Sequence, residues 1–394
     1  MKHTTLLSLV MAGAASLFTQ CTTVPTGAAP EFTKGADIGW VTEMEANGDT
    51  VYNAEGEAVE MTRLMHDYGC TAIRCRVWID PSRHGGWCSK DDVLAKCLRA
   101  KELGMDVMID FHYSDWWCDP AKQPVPHAWS GHNLDELKQD LRRHTVDVLT
   151  LLKAHDITPR WVQVGNETTY GFLWSVREDP ATGWPAPADD GRNVITEAIA
   201  RIDRPGKETA HYAEGVVSGT TTADGTRVDG AHAYAQLFKE GYDAVKSVCP
   251  DAQVIVHLDD GFDQELYDWN LDILRSGGAR WDIIGMSLYT YWAISEGKRT
   301  DADSIVDECM ANIRHLYEKY GTPSMLVEVG MDAYNPDEGS RVLGKILTDA
   351  RTKTDGHCLG AFYWEPACRP SKYRLGAFGE DGRPTKIMET FNEK

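Results

Sequence analysis

The 394-residue sequence contains no run rich in Lys and Arg. Its 60 Asp and Glu outnumber 40 Lys and Arg, for a formal net charge of -20. Such a surface repels phosphate backbones and anionic lipid, which argues against nucleic acid as a partner. No apolar stretch has the length of a permanent membrane helix, since the candidate, residues 6 to 17, is too short. No Cys-x-x-Cys occurs, so the paired-thiol zinc and redox patterns are missing. Nor does a Gly-x-Gly-x-x-Gly follow the first strand-like run, which weighs against a doubly wound, dinucleotide-binding sheet.

The short apolar stretch has another reading. Lys2 gives a positive start, Leu6 to Leu17 is apolar and rich in small residues, and Cys21 follows, so residues 1–20 read as an export signal. Cys21 suggests a bacterial lipoprotein, although Gln20 is larger than the small residue normally found before a lipidated cysteine. A lipid on Cys21 is then the expected link to a membrane. The expected location is the periplasm or cell surface, or the medium if no lipid is added. Residues 21–33 are mostly small and carry a single charge, Glu31, a tether without periodicity. With Cys21 set aside, nine of the 10 cysteines are left, an odd number, so at least one is unpaired in a monomer. One or two disulfides are compatible with export, while Cys75 and Cys97 read as small core residues.

From Lys34 to the end an alternation sets in, read as one domain. Strand-like runs lie at 35–41, 72–78, 106–113, 161–167, 253–258, 281–289, 324–329 and 358–364. Helical patterns stand between most of them, at 92–103, 134–154, 233–248 and 303–320. Leu134, Leu137, Leu141, Val148 and Leu152 keep the spacing of one apolar stripe. Eight such units predict an α/β fold, a parallel (β/α)8 barrel of the TIM type, with right-handed crossovers. Residues 175–231 carry several Pro, Gly and Thr and little helical pattern, and read as a long loop insertion between strands 4 and 5.

Two carboxylates stand at or near the ends of apolar strands. Trp161-Val162-Gln163-Val164-Gly165-Asn166-Glu167 stops at an amide and an acid, and Glu328 is embedded in Met325-Leu326-Val327-Glu328-Val329. An ionised side chain in an apolar run is costly unless it is paired or functional. One reading is a buried ion pair of Glu328 with Arg74 or Arg76, with Asn166-Glu167 merely opening a loop. The other is a retaining glycosidase pair: one carboxylic acid protonates the leaving oxygen while one carboxylate attacks the anomeric carbon. Arg74 and Arg76 share a strand face by its period of two. His112 follows a strand-end acid with no second His at ligand spacing, which favours hydrogen bonding over metal ligation. Tyr289, Tyr291, Trp292 and Trp364 close later strands and suit a sugar platform as a set.

The segments Gly35-Ala36-Asp37-Ile38, Arg74-Cys75-Arg76-Val77-Trp78, Asp110-Phe111-His112-Tyr113-Ser114-Asp115, Asp119-Pro120-Ala121-Lys122-Gln123, Val162 to Glu167 and Phe362-Tyr363-Trp364-Glu365-Pro366 occur in this order. Together they resemble glycoside hydrolase family 53, the endo-β-1,4-galactanases of type I arabinogalactan, over nearly all of residues 35 to 370. The resemblance implies Glu167 as acid/base, Glu328 as nucleophile and Asn166 on the sugar 2-hydroxyl. It further implies Tyr289 orienting the nucleophile, His112 and one of Arg74 or Arg76 lining the same subsite, and Trp364 as its aromatic floor. Asp37, Asp115 and Trp292 are expected at the substrate with them. Where the family continues its seventh strand with Glu-Thr or Glu-Ser, this chain has Glu328-Val329-Gly330, and Trp116 and Cys118 replace smaller residues. Some members bind calcium near the seventh and eighth strands. Asp332, Asn335, Asp337 and Glu338 could do so here, but no cofactor is expected. The expectation is thus an exported, monomeric, retaining endo-β-1,4-galactanase acting on a polysaccharide. Its rivals are a related endoglycanase on mannan, xylan or another galactan, and a glycan-binding surface lipoprotein without activity.

Overall fold

In the computed structural model eight parallel strands close into a barrel in the order of the sequence. They are β1 (Thr33–Asp37), β2 (Ala72–Val77), β3 (Asp106–Phe111), β4 (Trp161–Val164), β5 (Gln253–Leu258), β6 (Ile283–Leu288), β7 (Ser324–Val329) and β8 (Cys358–Tyr363). The structure describes residues 32–120, 122–174, 222–226 and 230–392. The expected export segment, nearly all of the tether and most of the expected insertion at 175–231 lie outside the described residues. Thr33, counted with the tether, already belongs to β1.

Helices among the described residues are α1 (Val41–Ala46), α2 (Met61–Asp67), α3 (Lys90–Glu102), α4 (Leu134–Ala154), α5 (Gly230–Val248), α6 (Gln264–Ser276), α7 (Thr290–Ser295), α8 (Ala302–Tyr320), α9 (Pro336–Thr352) and α10 (Lys386–Asn392). α4 keeps the bounds its apolar stripe predicts. Its start is fixed by a capping box, in which Asn133 accepts from the backbone of Glu136 and the Glu136 side chain accepts from the Asn133 backbone. All five stripe residues are buried.

The barrel interior is built in layers by the two-residue period of each strand. Ala72, Met108, Trp161, Ile255, Ile283, Met325, Val327 and Phe362 form one closed apolar cluster. Two residues further along, the same faces become polar: Arg74 after Ala72, Asp110 after Met108, Gln163 after Trp161, His257 after Ile255. Between β6 and β7 the register slips, so that Met286 pairs with Leu326 but Ser287 pairs with Glu328. That irregularity lets Glu328 follow Val327 onto the interior, against strict alternation. Gly35 and Gly285 make room in this interior: a Cβ on Gly35 would run into the Phe362 ring, and one on Gly285 would lie 2.7 Å from Ile255 Cγ2.

Several strands end earlier than their apolar runs suggest. β4 stops at Val164 because Gly165 takes a φ of 85° and Glu167 one of 46°, so Asn166-Glu167 forms a turn rather than a strand end. The turn is buried, with Asn166 at 4% and Glu167 at 9% exposure, where the apolar-to-polar switch had pointed to an exposed end. The run at 35–41 likewise divides, with Val41 opening α1. All nine described cysteines are buried free thiols, so the disulfides considered above do not form among them.

Outside the barrel, α5 rests on β4, and Gly241 is the point of closest approach: a Cβ there would collide with Val164 Cγ1. Helix propensity alone favours Ala over Gly by about 1 kcal/mol. Gly241→Ala should nevertheless destabilise the protein by about 1–3 kcal/mol in denaturant titration, because overpacking outweighs that gain. A stabilised variant would contradict this packing.

Candidate active site

Arg74, 1% exposed, stands at the centre of the polar layer. Its Nε donates to Gln163 Oε1 at 2.7 Å. Nη1 meets Asp37 Oδ2 at 2.7 Å and Glu328 Oε1 at 2.9 Å. Nη2 donates to Asp110 Oδ2 at 2.9 Å and Asn166 Oδ1 at 2.7 Å. A planar guanidinium with five fixed N–H donors is suited to such a hub. Of the two arginines expected near the reacting centre, Arg74 is therefore the one on Glu328. Arg76 forms a neighbouring system, with Nη1 2.6 Å from Glu365 Oε1 and its guanidinium 4.2 Å from the Trp117 ring centroid. Asp37 ties the two together, since its Oδ1 lies 3.4 Å from Arg76 and also accepts from Gly39 N.

Glu328 receives a second donor, the Tyr289 hydroxyl, at 2.8 Å from Oε2. Gly330 makes this possible: a Cβ there would come 2.9 Å from Tyr289 Cε1 and 2.9 Å from the Leu375 carbonyl. Burial, with the charges of Asp37 and Asp110, pushes the Glu328 carboxyl up to about 7, against the pull of Arg74 and of the Tyr289 hydrogen bond. Glu167 lies close enough to feel the Glu328 charge, and among the described residues it pairs with no cation. Burial, Glu328 and Asp259 hold it well above the usual carboxylate range, opposed by a hydrogen bond from Ser287. The two acids thus sit in environments that separate their proton affinities, with Glu167 the one that keeps its proton.

The other expected residues fall around this pair. His112 accepts at Nδ1 from Cys118 N (3.1 Å) and Trp78 Nε1 (3.3 Å), which leaves Nε2–H for Asp110 at 3.0 Å. Asn166 donates one amide N–H to the Cys118 carbonyl at 2.8 Å, which leaves a second amide proton. Trp364 is half-buried in an aromatic wall, edge-on to Trp40 at 5.0 Å and to Tyr373 at 4.5 Å. Trp292 is 39% exposed, packs edge-on against Tyr291 at 4.9 Å and hydrogen-bonds Tyr373.

Asp115 accepts from the backbones of Asp80 (3.0 Å) and His127 (2.8 Å), and so pins two loops together beside His112. The residues considered for calcium face elsewhere: Asp332 pairs with Arg374, Asp337 with Lys386, and Glu338 with Arg341. Sequence reasoning did not single out Asp110, Gln163, His257, Ser287, Glu365, Trp40, Trp117 or Tyr373 as site residues. His257 carried the same signal as Glu328, a polar residue inside an apolar strand run.

The sequence model of glycosyl hydrolase family 53 matches residues 33–345. This chain belongs to glycosyl hydrolase family 53. An uncharacterised protein of the bgaB 5' region of Niallia circulans is 31% identical over 364 residues, covering 86% of this chain and 85% of that one. The arabinogalactan endo-β-1,4-galactanase of Cellvibrio japonicus (strain Ueda107) is 28% identical over 365 residues, covering 85% and 80%. Among solved structures, one of two fungal β-1,4-galactanases superposes with a TM-score of 0.71 at 21% identity, covering 93% of this chain and 100% of that one. The family 53 catalytic domain of Ignisphaera aggregans gives 0.68 at 23%, covering 93% and 97%. These two likenesses establish the barrel. Membership in the family makes the chain a glycoside hydrolase, whose chemistry needs no cofactor.

Tyr289→Phe should raise the Glu328 carboxyl, because a donor that favours its charged form is lost. The acid limb of kcat/KM then moves to higher pH by about one unit. A pH–rate profile with an unmoved acid limb would show that Tyr289 does not tune Glu328.

Proposed function

We propose that this chain is a retaining endo-β-1,4-galactanase in which Glu328 is the nucleophile and Glu167 the acid/base. The observation that carries the assignment is the unequal treatment of two buried neighbouring acids. Glu328 has a guanidinium and a phenol as donors, which favour the carboxylate that must attack the anomeric carbon. Glu167 has no cation among the described residues and lies beside that negative charge, which favours the acid that must protonate the departing oxygen. After the covalent glycosyl-enzyme forms, Glu167 has lost its proton and acts as base toward water.

The surroundings suit this chemistry. Arg74 and Arg76 face Asp37, Asp110, Glu328 and Glu365, of which burial pushes Glu365 up to about 8, so the layer carries net negative charge once Glu328 is ionised. Negative charge there favours the positive character that develops at the anomeric carbon. The free amide proton of Asn166 is available to the sugar 2-hydroxyl, and Trp364 with Trp40 and Tyr373 offers an apolar wall for the flat face of a pyranose. β-1,4-Galactan as substrate rests on the named activity of the Cellvibrio japonicus relative and others of its kind.

Glu167→Gln and Glu328→Gln should each cut release of reducing ends from unbranched β-1,4-galactan by about 10³-fold or more while the fold melts normally. The wild-type enzyme should give short galacto-oligosaccharides, and should release little from mannan or xylan run alongside. Near wild-type rates in either Gln variant would overturn the assignment, and preferential cleavage of mannan or xylan would overturn the substrate.

A further inference from the structure

His257 and Ser287 have no task in the reaction as described, yet both are buried in the middle of its polar layer, at 0% and 1% exposure. The ring proton of His257 can be placed from its neighbours. Nδ1 faces the side-chain amide of Gln163 at 2.9 Å and the backbone N–H of Glu167 at 3.3 Å. The Gln163 amide is itself oriented, because its Oε1 accepts from Arg74 Nε and its Nε2 donates to Asp110 Oδ1 at 3.2 Å. Two N–H groups therefore point at Nδ1, which must offer its lone pair. Asn166 Oδ1, 3.1 Å from Nδ1, already accepts from Arg74 Nη2.

The proton accordingly sits on Nε2, which donates to Ser287 Oγ at 2.9 Å. A serine hydroxyl has one proton to give. With Oγ accepting from His257, that proton is turned to the carboxyl of Glu167, which Ser287 hydrogen-bonds. Every link in this line donates in one direction.

We propose that His257 and Ser287 are positioning residues for the acid/base, closing a one-way line of donors that runs Arg74, Gln163, His257, Ser287, Glu167. The line begins at the guanidinium that holds Glu328, so both reacting acids hang from one network. The proposal rests on the reading of Glu167 as acid/base.

Its consequence is a definite sign. A donor aimed at Glu167 favours the carboxylate, against burial and against the charges of Glu328 on β7, Asp259 after β5 and Asp119 in the loop after β3. His257 stays neutral, because burial and the Arg74 charge outweigh Asp110, with His112 adding to the lowering. It therefore donates at every pH at which the enzyme works. Removing the line should make Glu167 hold its proton to higher pH, so that a smaller fraction of it is ionised to act as base in the second step.

The test is the pH dependence of kcat and KM on galactan for the whole chain, comparing wild type, Ser287→Ala, His257→Phe and the double variant. Ser287→Ala should move the alkaline limb up by about one pH unit. It should lower kcat about tenfold with little change in KM. His257→Phe should move the limb in the same direction, and the double variant no further than Ser287→Ala, since both act through one hydrogen bond. His257→Gln takes the place of the Phe variant if that one does not fold. An alkaline limb that stays put in Ser287→Ala, or shifts that add in the double variant, would overturn the proposal.

Glu167→Ala, assayed on an aryl β-galactoside whose leaving group needs no proton, separates this from the parent reading. Loss of its alkaline limb together with an unmoved limb in Ser287→Ala refutes the line alone. A limb retained in Glu167→Ala refutes Glu167 as acid/base.

Discussion

The structure depends on one buried cation. Taking the Arg74 guanidinium out of water is expensive, and attraction to a carboxylate offsets that cost only when the other donors are also satisfied. Arg74 meets the condition by serving Asp37 from β1, Asp110 from β3, Gln163 from β4, Asn166 in the turn after β4 and Glu328 from β7. It therefore reaches across the barrel and fixes the spacing of the groups that would meet the sugar. Placing that charge against one acid and not its neighbour is also what gives Glu328 and Glu167 different proton affinities. One residue thus links the packing of the barrel to the division of chemical roles.

The rest of the fold presents this layer at a fixed height. Below it the interior is apolar and closed by Trp161 and Phe362, which meet edge-on at 5.9 Å. That floor excludes water and makes every interaction above it stronger. Two departures from ideal strand geometry then aim the acids. The register slip between β6 and β7 brings Glu328 inward beside Ser287. The left-handed turn at Gly165 and Glu167 brings the second acid over the layer, and the Glu167 backbone is anchored on His257. A non-glycine residue with positive φ is uncommon enough to carry functional meaning when its side chain is in the site.

Much of this was legible in the residues. Hydrophobic period placed all eight strands, and six of the expected ends ran past the observed ones into the turn or helix that follows. The two readings of Glu328, a buried ion pair or a catalytic acid, turn out not to compete, since its partner is Arg74 at 2.9 Å. Less accessible were groups whose importance comes from distant strands. Nothing near Ser287 in the chain indicates that it meets both His257 and Glu167. Tyr373 reaches the site from the loop after β8. The two backbone N–H groups that Asp115 receives, from Asp80 and His127, were equally out of reach of the sequence. The state of the thiols was not legible either: all nine described cysteines are buried and free.

The role of Glu328 as the acid held ready as a carboxylate can be tested by trapping with a 2-deoxy-2-fluoro-galactobiosyl fluoride of β configuration, followed by mass spectrometry of the digested protein. One covalently bound disaccharide per chain is expected, on the peptide that carries Glu328. A label on Glu167, or steady turnover to an α-configured product with no label at all, would contradict it.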